Sequence, residues 1–200
     1  MVALTGIFYK IANSWRIERS DDMSEVIDFE DKVLEEKEGR KMPSKKHSIT
    51  QTNITGLLFN DKRFTTFVEL SLDASPIDLS QFGLKAKDEL IPDVCVYLEP
   101  PPVDDKLGSD EVRVTQIPDL AIEVLSPSQT VNELLKKIDA FFALGVKSCW
   151  LMMPSLEEIR VFSQLKCYKN FDMNVTEIID EVMDIRLPIQ KVFKWRSKEV

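Results

Sequence analysis

Two acidic residues, Asp93 and Glu123, stand inside strongly apolar segments of the chain. Asp93 lies in IPDVCVYL (residues 91–98), and Glu123 lies in LAIEVL (residues 120–125). An unpaired carboxylate in such surroundings is costly because burial removes its hydration. If the two segments are neighbouring strands, the carboxylates converge, repel each other and call for a cation. Hard oxygen ligands suit Mg²⁺, with Mn²⁺ as an alternative, and such an ion activates water for attack on a phosphate.

A lysine on the next segment is the third candidate. Thr130 and Glu133 have the spacing of a capping box, and Gly145 is a natural stop, so the sequence predicts a helix between them. Lys137 falls about 100° from the centre of the apolar stripe of this helix, so it flanks the face that packs on the sheet. From there Lys137 can reach back towards Glu123 and hold a phosphate. A structural pair of Glu123 with Lys137 or Lys147 is the alternative interpretation, as is a solvated Lys137 that covers apolar surface.

The elements that position these residues follow from hydrophobic periodicity. Strands are predicted at residues 64–72, 91–98, 120–125, 148–153 and 159–163, and helices at residues 47–60 and 130–145. In the LAIEVL strand, Glu123 shares a face with Ala121 and Leu125. The order strand, helix, strand between residues 120 and 153 predicts a parallel crossover, so the fold class is α/β with a mixed sheet flanked by helices.

Length and composition restrict the class of protein. The 200 residues suit one domain, residues 1–200, with an ordinary hydrophobic content of 44%. Three cysteines without CxxC spacing argue against a disulfide framework or a zinc site and fit a cytoplasmic protein. We find no signal peptide and no apolar run long enough for a membrane span. The net charge of −8 argues against a sequence-independent nucleic-acid binder, but it suits a carboxylate-rich site that binds a divalent cation.

Four segments carry a resemblance to a known family. They are IPDV (residues 91–94), PDLAIEVLSPS (residues 118–128), GVKSCWLMMP (residues 145–154) and the C-terminal DIRLPIQKVF. Together with the intervening Lys137, this order resembles the Uma2 family (DUF820) of the PD-(D/E)XK nucleases. The similarity covers about residues 45–195, and the N-terminal segment, residues 1–45, diverges.

The resemblance implies a restriction-endonuclease-like core and a magnesium-dependent endonuclease that hydrolyses DNA. It implies that Asp93 and Glu123 are the metal ligands and that Asp93, Glu123 and Lys137 are the catalytic residues. In the wider superfamily a lysine stands two residues after the acid, where this chain has Leu125; Lys137 supplies that charge instead. His47 matches the histidine that leads a helix in the family, and Glu35 or Glu36 matches an upstream glutamate.

Other interpretations stay open from the sequence. A degenerate nuclease fold would bind nucleic acid or a protein without cutting, and the missing lysine at Leu125 favours it. A subunit of a defence or mobile-element system that acts through protein contacts is a further alternative. His47 is the only histidine, which excludes a histidine cluster or relay, and it is expected at a loop or helix start. A homodimer is expected because duplex cutting often uses two sites.

Overall fold

The computed structural model describes residues 43–102 and 111–194. Helix α1 spans Lys45–Phe59, α2 spans Val131–Leu144 and the short α3 spans Ile189–Phe193. The strands within these ranges are β1 Thr65–Val68, β2 Leu72–Asp73, β3 Glu89–Leu90, β4 Val94–Tyr97, β5 Leu120–Val124, β6 Ser148–Met153, β7 Glu158–Gln164, β8 Cys167–Phe171, β9 Glu177–Asp180 and β10 Ile185–Pro188. A 3₁₀ turn at Leu79–Phe82 lies between β2 and β3.

A six-stranded mixed sheet forms the centre of the fold. Its strand order is β1-β4-β5-β6-β7-β8. Strands β5 and β6 run parallel and are joined through α2, whereas every other neighbouring pair in this sheet is antiparallel. The predicted mixed sheet flanked by helices and the parallel crossover are therefore confirmed. Strands β2 and β3 form a separate two-stranded sheet, and β9 and β10 form another.

Each face of the sheet carries its own hydrophobic core. The alternation of side chains along β5 sends Leu120, Ile122 and Val124 into one core and Ala121 into the other. The first core includes Ile54 of α1, and the second contains the apolar stripe of α2. Glu123 is on the α2 side because it shares a face with Ala121. The sequence predicted this placement correctly.

Helix α2 begins and ends where its capping residues predict. The Thr130 hydroxyl accepts a hydrogen bond from the Glu133 N–H at 3.2 Å, and the Glu133 carboxylate accepts one from the Thr130 N–H at 2.7 Å. Gly145 ends the helix with a φ of 105°, which is accessible to glycine because it has no Cβ. These caps fix the helix start and thereby the position of Lys137 relative to β5.

Two elements differ from their predicted form. Helix α1 begins at Lys45, two residues before the predicted start, because the Ser44 hydroxyl caps it by accepting the His47 N–H at 3.1 Å. The strand predicted at residues 64–72 is two strands. Glu69 takes a φ of 52°, which bends the chain out of the extended conformation between β1 and β2.

Residues from Lys41 onward form one compact unit. The prediction that residues 1–200 make a single domain stays a prediction, since residues 1–42 lie outside the described ranges. Glu35 and Glu36, the candidates for an upstream ligand, fall there as well. Within residues 43–102 and 111–194, no helix is both long and apolar enough to span a membrane.

Candidate active site

A cleft of about 560 Å³ lies beside the first turn of α1, at the C-terminal ends of β1 and β5 and the N-terminal end of β4. Charged or titratable side chains line much of it: His47, Glu69, Lys85, Glu89, Asp93, Glu123 and Lys137. The three residues predicted from the sequence as catalytic are among them. The roles of these residues stay a prediction, but the fold gathers them around one cavity.

Asp93 and Glu123 stand opposite each other on neighbouring strands. Val94 pairs with Ile122 in the antiparallel register of β4 and β5. Continuing this register by one residue, backward from Val94 and forward from Ile122, places Asp93 opposite Glu123. Residues directly opposite in such a pair share a face of the sheet. The Val124 N–H also donates to Asp93 Oδ2 at 2.6 Å, which ties the Asp93 carboxylate to the strand of Glu123.

Lys137 forms an ion pair with Glu123. The Lys137 ammonium contacts Glu123 Oε1 and also donates to the carbonyl oxygen of Ile91 at 2.8 Å. The Glu123 side chain is 1% exposed and the Lys137 side chain 16% exposed. Little water screens this pair, so each charge depends strongly on the other. The prediction that Lys137 reaches back from the helix to Glu123 agrees with this contact.

Helix α1 supplies two polar side chains to the same place. His47 Nε2 lies 3.6 Å from Asp93 Oδ1, and Gln51 Nε2 donates to the Asp93 carbonyl oxygen at 2.9 Å. His47 is at the helix start, as expected, but its side chain is buried beside the carboxylate. The sequence did not indicate Gln51 as a site residue. The only signal was the weak apolar stripe of α1, which leaves polar residues on the face towards the cleft.

Glu69 is a further acid that the sequence did not indicate. Its partner by continuation of the β1–β4 register is Asp93, since Val68 pairs with Val94. The Glu69 N–H donates to the Asp93 carbonyl oxygen at 3.3 Å, and the side chain is exposed at the cleft. Glu69, Asp93 and Glu123 therefore follow one another across three adjacent strands.

Burial and the Glu123 charge also affect the α2 side of the sheet. Burial, with a smaller contribution from the negative charge of Glu123, raises the pKa of the Cys149 thiol well above its ordinary value. Leu151 of β6 pairs with Glu123 of β5, and Cys149 lies two positions before Leu151 on the same strand. The charge of Glu123 is thus felt within the core and not only in the cleft.

The donor set of the cleft fits a hard divalent cation. Mg²⁺ is usually bound through one or two carboxylates, and water or substrate phosphates complete its shell. Asp93 and Glu123 supply two such carboxylates. Within residues 43–102 and 111–194, no group of three or more His, Cys, Asp or Glu side chains has the arrangement of a metal site. An ion held here would therefore keep several positions for water or phosphate.

The position two residues after Glu123 differs from the pattern of the wider superfamily. Leu125 stands where a lysine is usual, and its N–H extends the β5–β6 pairing by donating to the Met152 carbonyl oxygen at 2.8 Å. The neighbouring Ser126 is buried, and its hydroxyl lies 3.2 Å from that of Ser128. The positive charge beside Glu123 comes from Lys137 of α2.

The mixed sheet, its flanking helices and the acidic cleft at the ends of β4 and β5 define a nuclease-like domain of restriction-endonuclease-like fold. The chain belongs to the Uma2 family, whose profile, described as "Putative restriction endonuclease", matches residues 27–185. Both the family and the fold class predicted from the sequence are confirmed.

A solved structure shares this fold. The crystal structure of a "putative nuclease belonging to DUF820" from Anabaena variabilis ATCC 29413 is 23% identical in sequence and has a TM-score of 0.59. The alignment covers 76% of this chain and 82% of that chain. At this identity the likeness establishes the fold. Comparison with curated proteins gave no significant match.

Proposed function

We propose that this chain is a metal-dependent endonuclease that hydrolyses DNA phosphodiester bonds in the cleft at Asp93 and Glu123. The observation that carries the proposal is the level placement of these two carboxylates on neighbouring strands, with Lys137 beside Glu123. The family description supports nuclease chemistry, and the fold of the solved relative agrees with it.

Asp93 and Glu123 would hold Mg²⁺, with Mn²⁺ as an alternative. When bound, the ion would polarise a phosphoryl oxygen and activate water. Asp93 has Oδ2 engaged by the Val124 N–H, so its Oδ1 is the oxygen that faces a cation. The burial of Glu123 gives its charge a larger effect on a cation than an exposed carboxylate would have.

Lys137 would stabilise the charge of the phosphate. An ammonium group has three N–H donors, and two of them serve the Glu123 carboxylate and the Ile91 carbonyl oxygen. The third donor is available for a phosphate oxygen. The contact with Ile91 also holds the lysine at the cleft, which reduces the conformational entropy lost when substrate binds.

DNA is proposed as the substrate because the family is described as a "Putative restriction endonuclease". We also propose that the protein acts in the cytoplasm, where its three unpaired cysteines stay reduced, and that it works as a homodimer. Two copies would place two clefts on one duplex, and each would cut one strand.

A catalytically degenerate binding module is the second candidate. It is favoured by the ion pair that already neutralises Glu123 and by Leu125 at the position of the usual lysine. In this case Asp93, Glu123 and Lys137 would be structural, and the fold would bind nucleic acid or a protein. In a subunit that acts only through protein contacts, Glu123 would likewise be structural.

DNA cleavage by identically purified proteins tests the proposal. Wild type, Glu123→Gln and the exposed control Glu177→Gln are incubated with supercoiled and single-stranded DNA and with Mg²⁺ or Mn²⁺. We expect cleavage by wild type and by the control, and a loss of at least about 100-fold in Glu123→Gln, because a neutral amide binds the cation poorly. Equal cleavage by all three proteins would indicate a contaminant or another site. No cleavage by any of them would favour the binding module.

A further inference from the structure

Asp93 is held by contacts from three different elements. Its Oδ2 accepts the Val124 N–H at 2.6 Å. Its carbonyl oxygen accepts Gln51 Nε2 at 2.9 Å and the Glu69 N–H at 3.3 Å. His47 Nε2 then faces the remaining oxygen, Oδ1, at 3.6 Å. Four contacts from α1, β5 and the end of β1 thus converge on a single residue.

The two contacts from α1 form a unit. His47 and Gln51 are four residues apart in the helix, so their side chains lie on the same face, one turn from each other. Gln51 binds the backbone of Asp93, and His47 lies next to Oδ1, the carboxylate oxygen that does not bind the Val124 N–H. Helix α1 therefore contacts both the main chain and the side chain of Asp93, which is one of the proposed metal ligands.

The surroundings of the His47 ring explain why this contact matters. His47 is 6% exposed, and its Nδ1 is buried without a hydrogen-bond partner among the described residues. A histidine buried for structure alone normally has its polar nitrogens paired, because leaving them unpaired costs free energy. Asp93 is a polar neighbour of this ring. The ring is thus buried at an energetic cost beside the Asp93 oxygen that would face a cation in the proposed site.

We infer that His47 is a positioning residue for the Asp93 carboxylate, and that Gln51 fixes the backbone of the same residue. The inference rests on the proposed function, since it concerns the geometry of a metal ligand. With its proton on Nε2, the imidazole presents an N–H to Oδ1 at 3.6 Å, an electrostatic contact longer than a hydrogen bond, and its bulk beside the carboxylate opposes rotation of that group. One carboxylate oxygen has two lone pairs, so Oδ1 can face the imidazole and a cation at the same time.

A consequence is that metal affinity depends on α1, although Asp93 lies 46 residues further along the chain than His47. Hydrogen-bond partners of ligating groups typically contribute about 10- to 100-fold in metal affinity. Loss of the His47 side chain should therefore weaken metal binding by at least roughly tenfold. Glutamine at this position places its Nε2 close to the imidazole Nε2 and should retain most of the affinity.

Mn²⁺ titration followed by electron paramagnetic resonance tests this inference without depending on catalysis. Wild type, His47→Leu, His47→Gln and the α1 control Thr52→Ala are compared, with Asp93→Asn as the baseline for loss of the ligand. Thr52 is exposed on the same helix and binds only the Ser48 carbonyl oxygen, so its removal reports on α1 alone. Circular dichroism melts of the same samples verify that each variant is folded.

We expect His47→Leu to bind Mn²⁺ at least about tenfold more weakly than wild type, with His47→Gln and Thr52→Ala within about threefold of it. Wild-type affinity in His47→Leu would overturn the role of His47 and leave the proposed metal site intact. Equal weakening in Thr52→Ala would also overturn it, because the effect would then come from the helix as a whole. If wild type binds no Mn²⁺ beyond the Asp93→Asn baseline, the proposed metal site itself is wrong, and the inference fails with it.

Discussion

Glu123 and Asp180 are both carboxylates with a relative exposure of 1%, but their surroundings differ. The Asp180 side chain accepts hydrogen bonds from four protein donors: Ser148 Oγ, Trp150 Nε1 and the N–H groups of Val182 and Met183. Asp180 is not among the residues that line the cleft, and it joins β6 to β9. Glu123 instead lines the cleft and pairs with a lysine. Burial alone therefore does not distinguish a candidate site residue, whereas burial at the cleft beside a lysine does.

The Glu123–Lys137 pair should be strongly coupled in stability. Lys137→Met removes the ammonium and leaves the Glu123 charge buried, so we expect a loss on the order of 3 kcal/mol in the free energy of unfolding. Urea denaturation at neutral pH measures it. Methionine has an unbranched side chain of similar length, so packing changes little, although the contact of the ammonium with the Phe141 ring is lost.

The double variant Glu123→Gln/Lys137→Met provides the control for this pair. It removes both charges and should recover most of the stability that Lys137→Met loses, giving a large interaction free energy in the double-mutant cycle. Additive effects of the two substitutions would show that the pair is not coupled and that solvent screens it.

The three cysteines should differ sharply in reactivity. Burial raises the pKa of the Cys95 thiol to about 12, and burial with the nearby Glu123 charge raises that of Cys149 well above its ordinary value. Both thiols therefore stay protonated at pH 8, and only the thiolate attacks a disulfide reagent. Cys167 is exposed on β8. We expect one thiol to react with Ellman's reagent in the folded protein and three in denaturant; fast reaction of two or more in the folded state would contradict this.

At the scale of the element, the capping box of α2 controls where Lys137 stands. Thr130→Ala removes the acceptor for the Glu133 N–H and should destabilise the protein by about 1 kcal/mol in urea denaturation. Thr130→Ser keeps a hydroxyl at the same position and serves as the matched control. A loss of similar size in Thr130→Ser would attribute the effect to the lost methyl group instead of the cap.

The elements were predictable where local pattern and capping agree. Helix α2, with its amphipathic stripe and both caps, follows from spacing, and β5 and β6 follow from their short, mostly apolar runs. The break after β1 was not predictable. Glutamate has no preference for the positive φ that Glu69 adopts, and the continuous run of β-forming residues from Phe64 to Leu72 indicated one strand.

The candidate site was predictable only in part for a related reason. Acids in apolar strands are visible locally, so Asp93 and Glu123 could be selected from the sequence. The contact of Gln51 with Asp93 joins residues that are 42 positions apart, and no local pattern encodes it. His47 looked like an ordinary helix-start residue because the feature that distinguishes it, burial beside a carboxylate, is created by tertiary packing.

At the scale of the whole molecule, charge sets a condition on the proposed function. The chain carries a net charge of −8, and within the cleft the acids Glu69, Glu89, Asp93 and Glu123 outnumber Lys85 and Lys137. A polyanion approaching this cleft is repelled until the local charge is offset. A divalent cation bound at Asp93 and Glu123 lowers that repulsion, so binding of DNA and binding of metal should reinforce each other.

The same linkage predicts how metal affects the stability of the whole fold. A ligand that binds only the folded state stabilises it by about 2.7 kcal/mol at 100 times its Kd, which corresponds to a rise of roughly 5–10 °C in Tm at this chain length. We expect Mn²⁺ to raise the Tm of wild type and of the exposed control Glu177→Gln by such an amount, and that of Glu123→Gln by no more than NaCl of equal ionic strength. Differential scanning fluorimetry measures this without any DNA or cleavage. A rise in Glu123→Gln as large as in wild type would locate metal binding elsewhere in the chain, because a site that uses the Glu123 carboxylate cannot keep its affinity when that charge is removed.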